Sequence, residues 1–326
     1  MASSSSVPSL FGDVSIDHAI AGFGAGTVAT LVMHPLDLVK VRMQLADTNV
    51  KPKFGHALVD VLKEYVKADG WRGLYRGLVP NLVGGAGSWG LYFLFYNMIK
   101  KQMQGGDPTY RTSAGQHLLA AAEASAITAM LTNPIWVVKT RVFATPHNAP
   151  GAYNGLFNSF GRIYSAEGWR GLYRGSLLAL VGVSNGSIQF ATYEEIKRAR
   201  VELKKRKFAH RGIEFRPEDE KLTNWEYILA SGASKFVAIA LTYPYQVVRA
   251  RIQNANGPDF TIPRVISHIW RNEGFVGLYK GLGTNAIRIL PGTCTTFVVY
   301  ENLAHLFKSL ALKKQRALEQ EARPLA

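Results

Sequence analysis

The stretch PLDLVKVR at residues 35–42 recurs as PIWVVKTR at 134–141 and as PYQVVRAR at 244–251. In each copy a proline is followed five and seven residues later by Lys or Arg. The prolines lie 99 and 110 residues apart. Self-similarity at one long period predicts three copies of a single structural unit.

Two further patterns follow each octet in the same order. The first is rich in glycine and reads DGWRGLYRG at 69–77, EGWRGLYRG at 167–175 and EGFVGLYKG at 273–281. The second begins with tyrosine and reads YNMIK at 96–100, YEEIK at 193–197 and YENLA at 300–304. We therefore predict repeats at 16–104, 113–200 and 222–310, with tails at 1–15 and 311–326.

Six mostly apolar stretches surround these patterns, and each exceeds the ~20 residues that a helix needs to cross a bilayer. Their many glycines and alanines suit close packing between membrane helices. A soluble helical solenoid is the alternative, but its helices would carry a polar stripe that these stretches lack. The fold class predicted is an all-α membrane protein with six transmembrane helices. The stretches are 16–44, 78–101, 113–143, 176–198, 224–253 and 284–308.

Shorter amphipathic segments, such as residues 58–66, lie between each octet and its glycine block. We expect them to form surface helices along one membrane face. Six spans place both termini on one side, but Lys and Arg are equally numerous on the two sides. The positive-inside rule therefore gives no orientation.

The formal charge of +15 admits a nucleic-acid partner, an anionic membrane surface or an anionic solute. A nucleic-acid interpretation would use the basic run 204–207, but a solvated loop across 199–223 is the simpler account. The single cysteine, Cys294, excludes a disulfide framework and a cysteine-based zinc site. Because metal-ligand clusters and nucleotide or hydrolase motifs are also missing from the sequence, we predict neither a metal nor an enzyme.

The threefold pattern resembles the mitochondrial carrier family over essentially the whole chain. The resemblance implies a barrel of six tilted helices in the mitochondrial inner membrane, with both termini toward the intermembrane space. It also implies a cavity that opens alternately to each side, bound cardiolipin beside the glycine blocks, and a monomer. Residues 133–141, 243–251 and SWGLYF at 88–93 are similar to the branch that carries FAD, folate, NAD and pyrimidine nucleotides, and most similar to its FAD and folate members.

Pro35, Pro134 and Pro244 each remove one helical hydrogen bond, so we expect kinks that bring three helices together. Residues two and five positions after each proline share one helical face. The family's cyclic pattern then implies a matrix gate in which only the first pair is a complete ion pair, so this gate should be weak. The pairs are Asp37 with Lys139, Trp136 with Arg249, and Gln246 with Lys40.

Gln44 and Gln253 match the family's brace position, where an amide bonds across a closed pair. A second, cytoplasmic gate is implied at the other end of the barrel. The alternative is that its charges merely lie at helix ends and reach the interface. Its members are Lys100, Glu194, Lys197 and Glu301.

Charges deep in membrane segments indicate a solute site. Glu123 and Lys235 lie midway through their spans, although they could also form a structural pair. Arg288 lies near a family contact position and suits phosphate or carboxylate. Counting back from the outer gate adds Gly84, Gly85, Val181 and Gly182.

Trp89 and Trp136 could stack on a flat ring, although Trp89 could instead face lipid. The surplus of basic groups favours an anionic solute. We therefore expect transport of FAD or folate, with FAD as solute and not as a prosthetic group. The alternatives are NAD or a pyrimidine nucleotide, or a membrane scaffold that no longer transports.

Overall fold

The computed structural model describes residues 9–46, 56–105, 112–145, 151–153, 155–255 and 260–321. Residues 1–8 and 322–326 of the expected tails lie outside this range. Within it the chain is built from nine α-helices and a short 3-10 helix at Pro217–Glu220. The helices are α1 Val14–Leu45, α2 His56–Gly73, α3 Leu78–Met103, α4 Ala114–Ala144, α5 Leu156–Leu172, α6 Ser176–His210, α7 Asn224–Asn254, α8 Ile262–Gly277 and α9 Leu282–Glu321.

Six long helices close into a ring. Contacts join α1 to α3, α3 to α4, α4 to α6, α6 to α7, α7 to α9 and α9 back to α1. The helices α1, α4 and α7 also contact one another. Each of these three contains a motif proline, Pro35, Pro134 or Pro244. The three proline helices therefore converge across the ring, while α3, α6 and α9 fill the positions between them.

The predicted surface helices are α2, α5 and α8, and they pack against α1, α4 and α7 respectively. Apolar side chains contribute to this packing: Ile163 and Leu172 bury against Val138 of α4, and Ile269 buries against α7. Each repeat thus consists of a proline helix, a surface helix and a returning helix.

Glycines explain why each surface helix turns back into the barrel. Gly168 has φ 64° and breaks α5, while Gly175 has φ 73° and caps α6. The first and third repeats carry the same pair of left-handed glycines. A side chain would strain the backbone in this region, so these positions require glycine.

Two proline helices begin at capping boxes. The Ser113 hydroxyl accepts a hydrogen bond from the backbone N–H of Gln116, and the Gln116 side-chain oxygen accepts one from the backbone N–H of Ser113. Thr223 and Glu226 do the same at α7. Such reciprocal caps satisfy amide groups that a helix start leaves unpaired, and they fix where α4 and α7 begin.

The loop expected across 199–223 is only partly a loop. Helix α6 continues to His210, and the segment after it folds back onto α6. Glu226 pairs with Arg200 at 2.7 Å and with Lys204 at 3.1 Å, and Phe208 packs edge-on against Phe215. The basic run therefore extends a helix because acidic and aromatic groups from the next segment hold it.

Two helices, Ile16–Leu45 and Gly115–Ala144, are long and apolar enough to cross a membrane by length and composition alone. The other expected spans carry charged or polar residues, such as Lys235 and Arg249 in α7. Large apolar side chains on the long helices are nevertheless exposed, including Leu241 at 65% and Phe297 at 64%. A surface of this kind suits contact with lipid.

Candidate functional site

A cavity lies inside the ring and has two adjoining lobes of about 420 and 590 Å³. Both lobes are lined by Lys40, Trp136, Lys139, Lys235 and Arg288. The smaller lobe also contacts α6 and α7, and the larger one contacts α1, α3 and α9. All three repeats therefore contribute to one central site.

The proline end of the cavity is closed by contacts between repeats. Lys139 Nζ of the second repeat lies 4.0 Å from Asp37 Oδ2 of the first. Lys40 Nζ donates to Gln246 Oε1 of the third repeat at 3.3 Å. Both contacts join residues that the cyclic pattern matched.

The third position of this gate has no carboxylate. Arg249 Nη2 donates instead to Asn133 Oδ1 at 3.2 Å, and its buried Nε has no hydrogen-bond partner. Trp136, which occupies the acidic position, lies under Lys139 Nζ with 4.9 Å from the nitrogen to the ring centroid. The face of the Trp136 ring thus partly replaces the missing carboxylate. It attracts Lys139, however, and not Arg249, the cation with which this position was expected to pair.

The two glutamines at the brace positions form hydrogen bonds to neighbouring helices. Their partners are not the charged pairs, as expected, but a tyrosine and a threonine. Gln44 Nε2 donates to the Tyr243 hydroxyl at 3.2 Å. Gln253 Oε1 accepts from Thr140 Oγ1 at 2.9 Å. These bonds connect the first repeat to the third and the second to the third, just beyond the gate.

Arg288 faces the cavity, and it also forms an ion pair with Asp37 Oδ1. The sequence placed these two residues in different functional sets. The structure brings them together because α9 packs directly against α1.

Lys235 lines both lobes and donates from Nζ to Gln189 Oε1 at 3.0 Å. Glu123 is exposed and makes no ion pair among the described residues, so the structure does not join it to Lys235. Trp89 is 66% exposed and stacks on Phe93 at 5.8 Å. Neither Glu123 nor Trp89 is among the residues that line the two lobes.

The four small residues named from the sequence differ in their surroundings. A Cβ on Gly182 would lie 2.6 Å from the Tyr245 hydroxyl, and one on Gly84 would lie 3.1 Å from Ile135. Gly85 has open space and lines the larger lobe. Val181 is 46% exposed and lies outside the lining. Gly182 and Gly84 therefore admit side chains of a neighbouring helix, and Gly85 alone leaves room in the cavity.

The other end of the ring lacks such closure. Across the described residues, no ion pair joins any two members of the outer set Lys100, Glu194, Lys197 and Glu301. Since ion-pair and hydrogen-bond contacts bridge the proline end, whereas the outer set is not joined within the part of the chain that the structure describes, the cavity is closed toward the prolines and open toward the end where α1 begins.

One set of contacts was not expected from the sequence. The residue before each motif proline bonds to the carbonyl oxygen of the basic residue that precedes the last glycine of the glycine block. His34 Nε2 lies 3.0 Å from Arg76 O, Asn133 Nδ2 lies 3.2 Å from Arg174 O, and Tyr243 Oη lies 3.1 Å from Lys280 O. Three different side chains satisfy one carbonyl position, so only their shared position before the proline could have indicated them.

A second set of unexpected contacts is a cluster of charged side chains around the acidic residue of the glycine block. Arg141 donates to both oxygens of Glu167, and Arg174 Nε lies 2.9 Å from Glu167. Arg251, Glu273 and Lys280 repeat the arrangement in the third repeat. The Asp69 side chain, its counterpart in the first repeat, lies outside the described residues. The fixed spacing of these charges in the sequence was a usable signal.

Burial would raise the pKa of Glu167, but the hydrogen bonds and charge of Arg141, with the charge of Arg174, hold it below its ordinary value of 4.5. Arg141 also donates to the backbone oxygens of Gln253 and Ala255 in the third repeat. Each cluster thus ties a surface helix to the end of the next repeat's proline helix.

The cavity has a strong charge imbalance. Its described lining contains the cations Lys40, Lys139, Lys235, Arg249 and Arg288, and Asp37 is its one carboxylate. Asn185, Tyr245 and Trp136 add polar and aromatic surface. Such a cavity can hold an anion by charge and hydrogen bonds, and a flat ring by stacking.

The family model described as "Mitochondrial carrier protein" matches residues 13–107, 110–203 and 220–310. The chain is 39% identical over 307 residues to the mitochondrial FAD carrier protein FLX1 of Saccharomyces cerevisiae, covering 88% of this chain and 95% of that one. It is also 39% identical over 307 residues to the chloroplastic folate transporter 1 of Arabidopsis thaliana, covering 90% and 96%. The mitochondrial nicotinamide adenine dinucleotide transporter 2 of Arabidopsis thaliana is 36% identical over 304 residues, covering 90% and 80%.

Proposed function

The chain belongs to the mitochondrial carrier family, and we propose that it carries FAD across the mitochondrial inner membrane, with folate as the second candidate solute. Members of this family are transporters and not enzymes. The proposal names FAD as the solute that is moved, so the protein needs no prosthetic group.

The observation that carries the proposal is the cavity with five cations and one carboxylate. FAD bears a pyrophosphate and two flat ring systems, and folate bears carboxylates and one. The higher identity to a FAD carrier and a folate transporter favours these solutes over NAD. An NAD or pyrimidine nucleotide carrier is the remaining candidate within the family.

Transport would proceed by alternating access. An anionic solute enters from the open end, which on this proposal faces the intermembrane space, as do both termini. Lys235 and Arg288 take its anionic groups while Trp136 packs on a ring. Opening the proline end then breaks the Asp37–Lys139 contact and the hydrogen bonds of Lys40 with Gln246 and of Arg249 with Asn133. This is a smaller barrier than three buried ion pairs would present.

We also propose that the carrier works as a monomer with anionic lipid, cardiolipin in this membrane, beside the glycine blocks. Helix starts there expose backbone N–H groups that suit phosphate. Arg72 and Arg170 are exposed next to them. Arg76 and Arg174 are already engaged with Tyr153 O and Glu167.

The test is uptake into proteoliposomes that contain the purified chain. Labelled FAD, NAD and a reduced folate are each compared with protein-free vesicles. Saturable uptake of FAD supports the assignment, and uptake of folate or NAD alone moves the assignment to that solute. If none of the three enters, transport of these solutes is rejected and a scaffold role gains support.

The variant Arg288→Ala tests the solute site in the same assay. We expect this variant to insert into the membrane and to lose saturable uptake, because it removes the cation that contacts both the cavity and Asp37. Uptake at the wild-type rate would remove Arg288 from the solute site.

A further inference from the structure

The single carboxylate of Asp37 contacts two cations, Lys139 at the proline end and Arg288 in the cavity. Its Oδ2 lies 4.0 Å from Lys139 Nζ and accepts from Asn81 Nδ2 at 3.2 Å. Its Oδ1 forms the ion pair with Arg288. Asp37 is 7% exposed, so water cannot replace these partners freely.

Arg288 is the closer of the two cations, and 34% of its side chain is exposed toward the cavity. Its buried Nε has no hydrogen-bond partner, so its bonding capacity is only partly used. Guanidinium binds phosphate or carboxylate with two parallel hydrogen bonds. An anion in the cavity would therefore compete directly with Asp37 for this group.

We propose that Arg288 couples solute binding to the matrix gate by exchanging Asp37 for an anionic group of the solute. This inference rests on the proposed function. With the cavity empty, Arg288 holds Asp37 and strengthens the contact between α1 and α9 at the proline end. When a phosphate or carboxylate takes Arg288, Asp37 keeps only Lys139, at 4.0 Å, and Asn81. The gate is weakened when the solute is in place and strong when it is not.

Such coupling is reciprocal. If the solute weakens the hold of Arg288 on Asp37, then Asp37 weakens the hold of Arg288 on the solute by the same factor. Removing the carboxylate should therefore tighten solute binding, although it damages the gate. A purely structural role for Asp37 gives no reason for tighter binding.

The experiment is a double-mutant cycle on FAD binding to the purified full chain in lipid nanodiscs, followed by flavin fluorescence at fixed ionic strength. We expect Asp37→Asn to tighten binding roughly three- to tenfold and Arg288→Gln to weaken it at least tenfold, in keeping with usual coupling factors. In the double variant, binding should equal that of Arg288→Gln alone.

Two outcomes overturn the proposal. Equal tightening by Asp37→Asn with and without Arg288 would mean that Asp37 acts only through its charge on the cavity as a whole. No tightening in either background would mean that Asp37 does not compete for Arg288. If Asp37→Asn gives no single unfolding transition, the smaller neutral variant Asp37→Ser takes its place in the cycle.

Failure of the proposed function can be distinguished from failure of the exchange at Arg288. If the wild-type chain binds neither FAD nor a reduced folate, the solute assignment fails, and the cycle is repeated with inorganic pyrophosphate as the probe. Loss of the Asp37→Asn effect in the Arg288→Gln background then supports the exchange, and its persistence overturns it.

Discussion

At the scale of single residues, the cavity is shaped by contacts between helices, which the sequence of any one helix does not reveal. Gly182 of α6 accommodates the hydroxyl of Tyr245 of α7, because a Cβ at this position would come within 2.6 Å of it. Tyr245 lies directly after the proline of the third repeat and lines the smaller lobe. The glycine therefore sets how far the Tyr245 side chain enters the central cavity.

We predict that Gly182→Ala displaces Tyr245, destabilises the protein by about 1 to 3 kcal/mol as overpacking commonly does, and reduces FAD uptake. The check is thermal unfolding of the purified chain together with uptake. Gly85→Ala is the matched control, since Gly85 also lines the cavity but has nothing within 4 Å of an added Cβ. Recovery of stability in Gly182→Ala combined with Tyr245→Phe would identify the hydroxyl as the cause, and equal loss in both alanine variants would contradict the prediction.

At the scale of structural elements, the surface helices act as ties between repeats. Glu167 holds α5 to the end of α4 through Arg141, and Arg141 reaches the end of α7. The side chain of Arg141 is 1% exposed and that of Glu167 is 15% exposed. Hydrogen bonds to a charged group at such a place contribute on the order of 1.5 to 3 kcal/mol each.

This tie should make stability depend on pH. Because the pKa of folded Glu167 lies below its ordinary value of 4.5, its contribution is complete above that value and is lost as the pH falls through the lowered pKa. We predict that Glu167→Gln lowers the unfolding temperature at pH 7, and that the difference from wild type shrinks below about pH 4.5. Unfolding scans from pH 7 to pH 3.5 measure this difference.

The control for this prediction is Glu195→Gln. Glu195 forms an exposed pair with Arg198, and both side chains are 73% exposed. Exposed pairs on a helix contribute little, so this variant should follow the wild type at every pH. A pH-independent difference between Glu167→Gln and wild type would show that the carboxylate charge is not what matters.

At the scale of the whole molecule, transport requires the ring to close at one end while it opens at the other. At the proline end two of the three expected pairs are in contact, namely Asp37 with Lys139 and Lys40 with Gln246. Arg249 has no acid at the third position and turns to Asn133. The proline end is therefore held less strongly than a complete set of ion pairs would hold it.

We predict that Gln246→Glu strengthens this gate and slows the carrier. Gln246 Oε1 already accepts from Lys40 at 3.3 Å, so a carboxylate there would form an ion pair. If the pair adds about 1 kcal/mol to the closed form, maximal uptake falls roughly fivefold and the unfolding temperature rises.

The matched background for Gln246→Glu is Lys40→Gln, in which no ion pair can form. Uptake kinetics separate the gate from solute binding, because a stronger gate lowers the maximal rate. A rise in KM alone, or the same slowing without Lys40, would mean that the new carboxylate repels the solute instead.

Much of this architecture could be predicted from the sequence, because the repeated proline and glycine positions impose local backbone geometry. The expected starts of α3, α6 and α7 agree with the structure to the residue. The end of α6 was missed, because its extension depends on Glu226, which is distant in sequence. Glu123 was proposed from its depth in the span and Trp89 from its aromatic ring, yet neither property says which face of a helix points inward.

By itself the sequence determined that the chain forms three similar repeats, where their helices kink and turn, and that the interior is basic. These properties follow from residues that act locally: prolines, left-handed glycines and charges at a fixed helical spacing. The tertiary structure alone decided that Arg288 meets Asp37 and that the residue before each proline meets a distant carbonyl. These are contacts between helices far apart in the chain, and the rotation of each helix in the ring sets them.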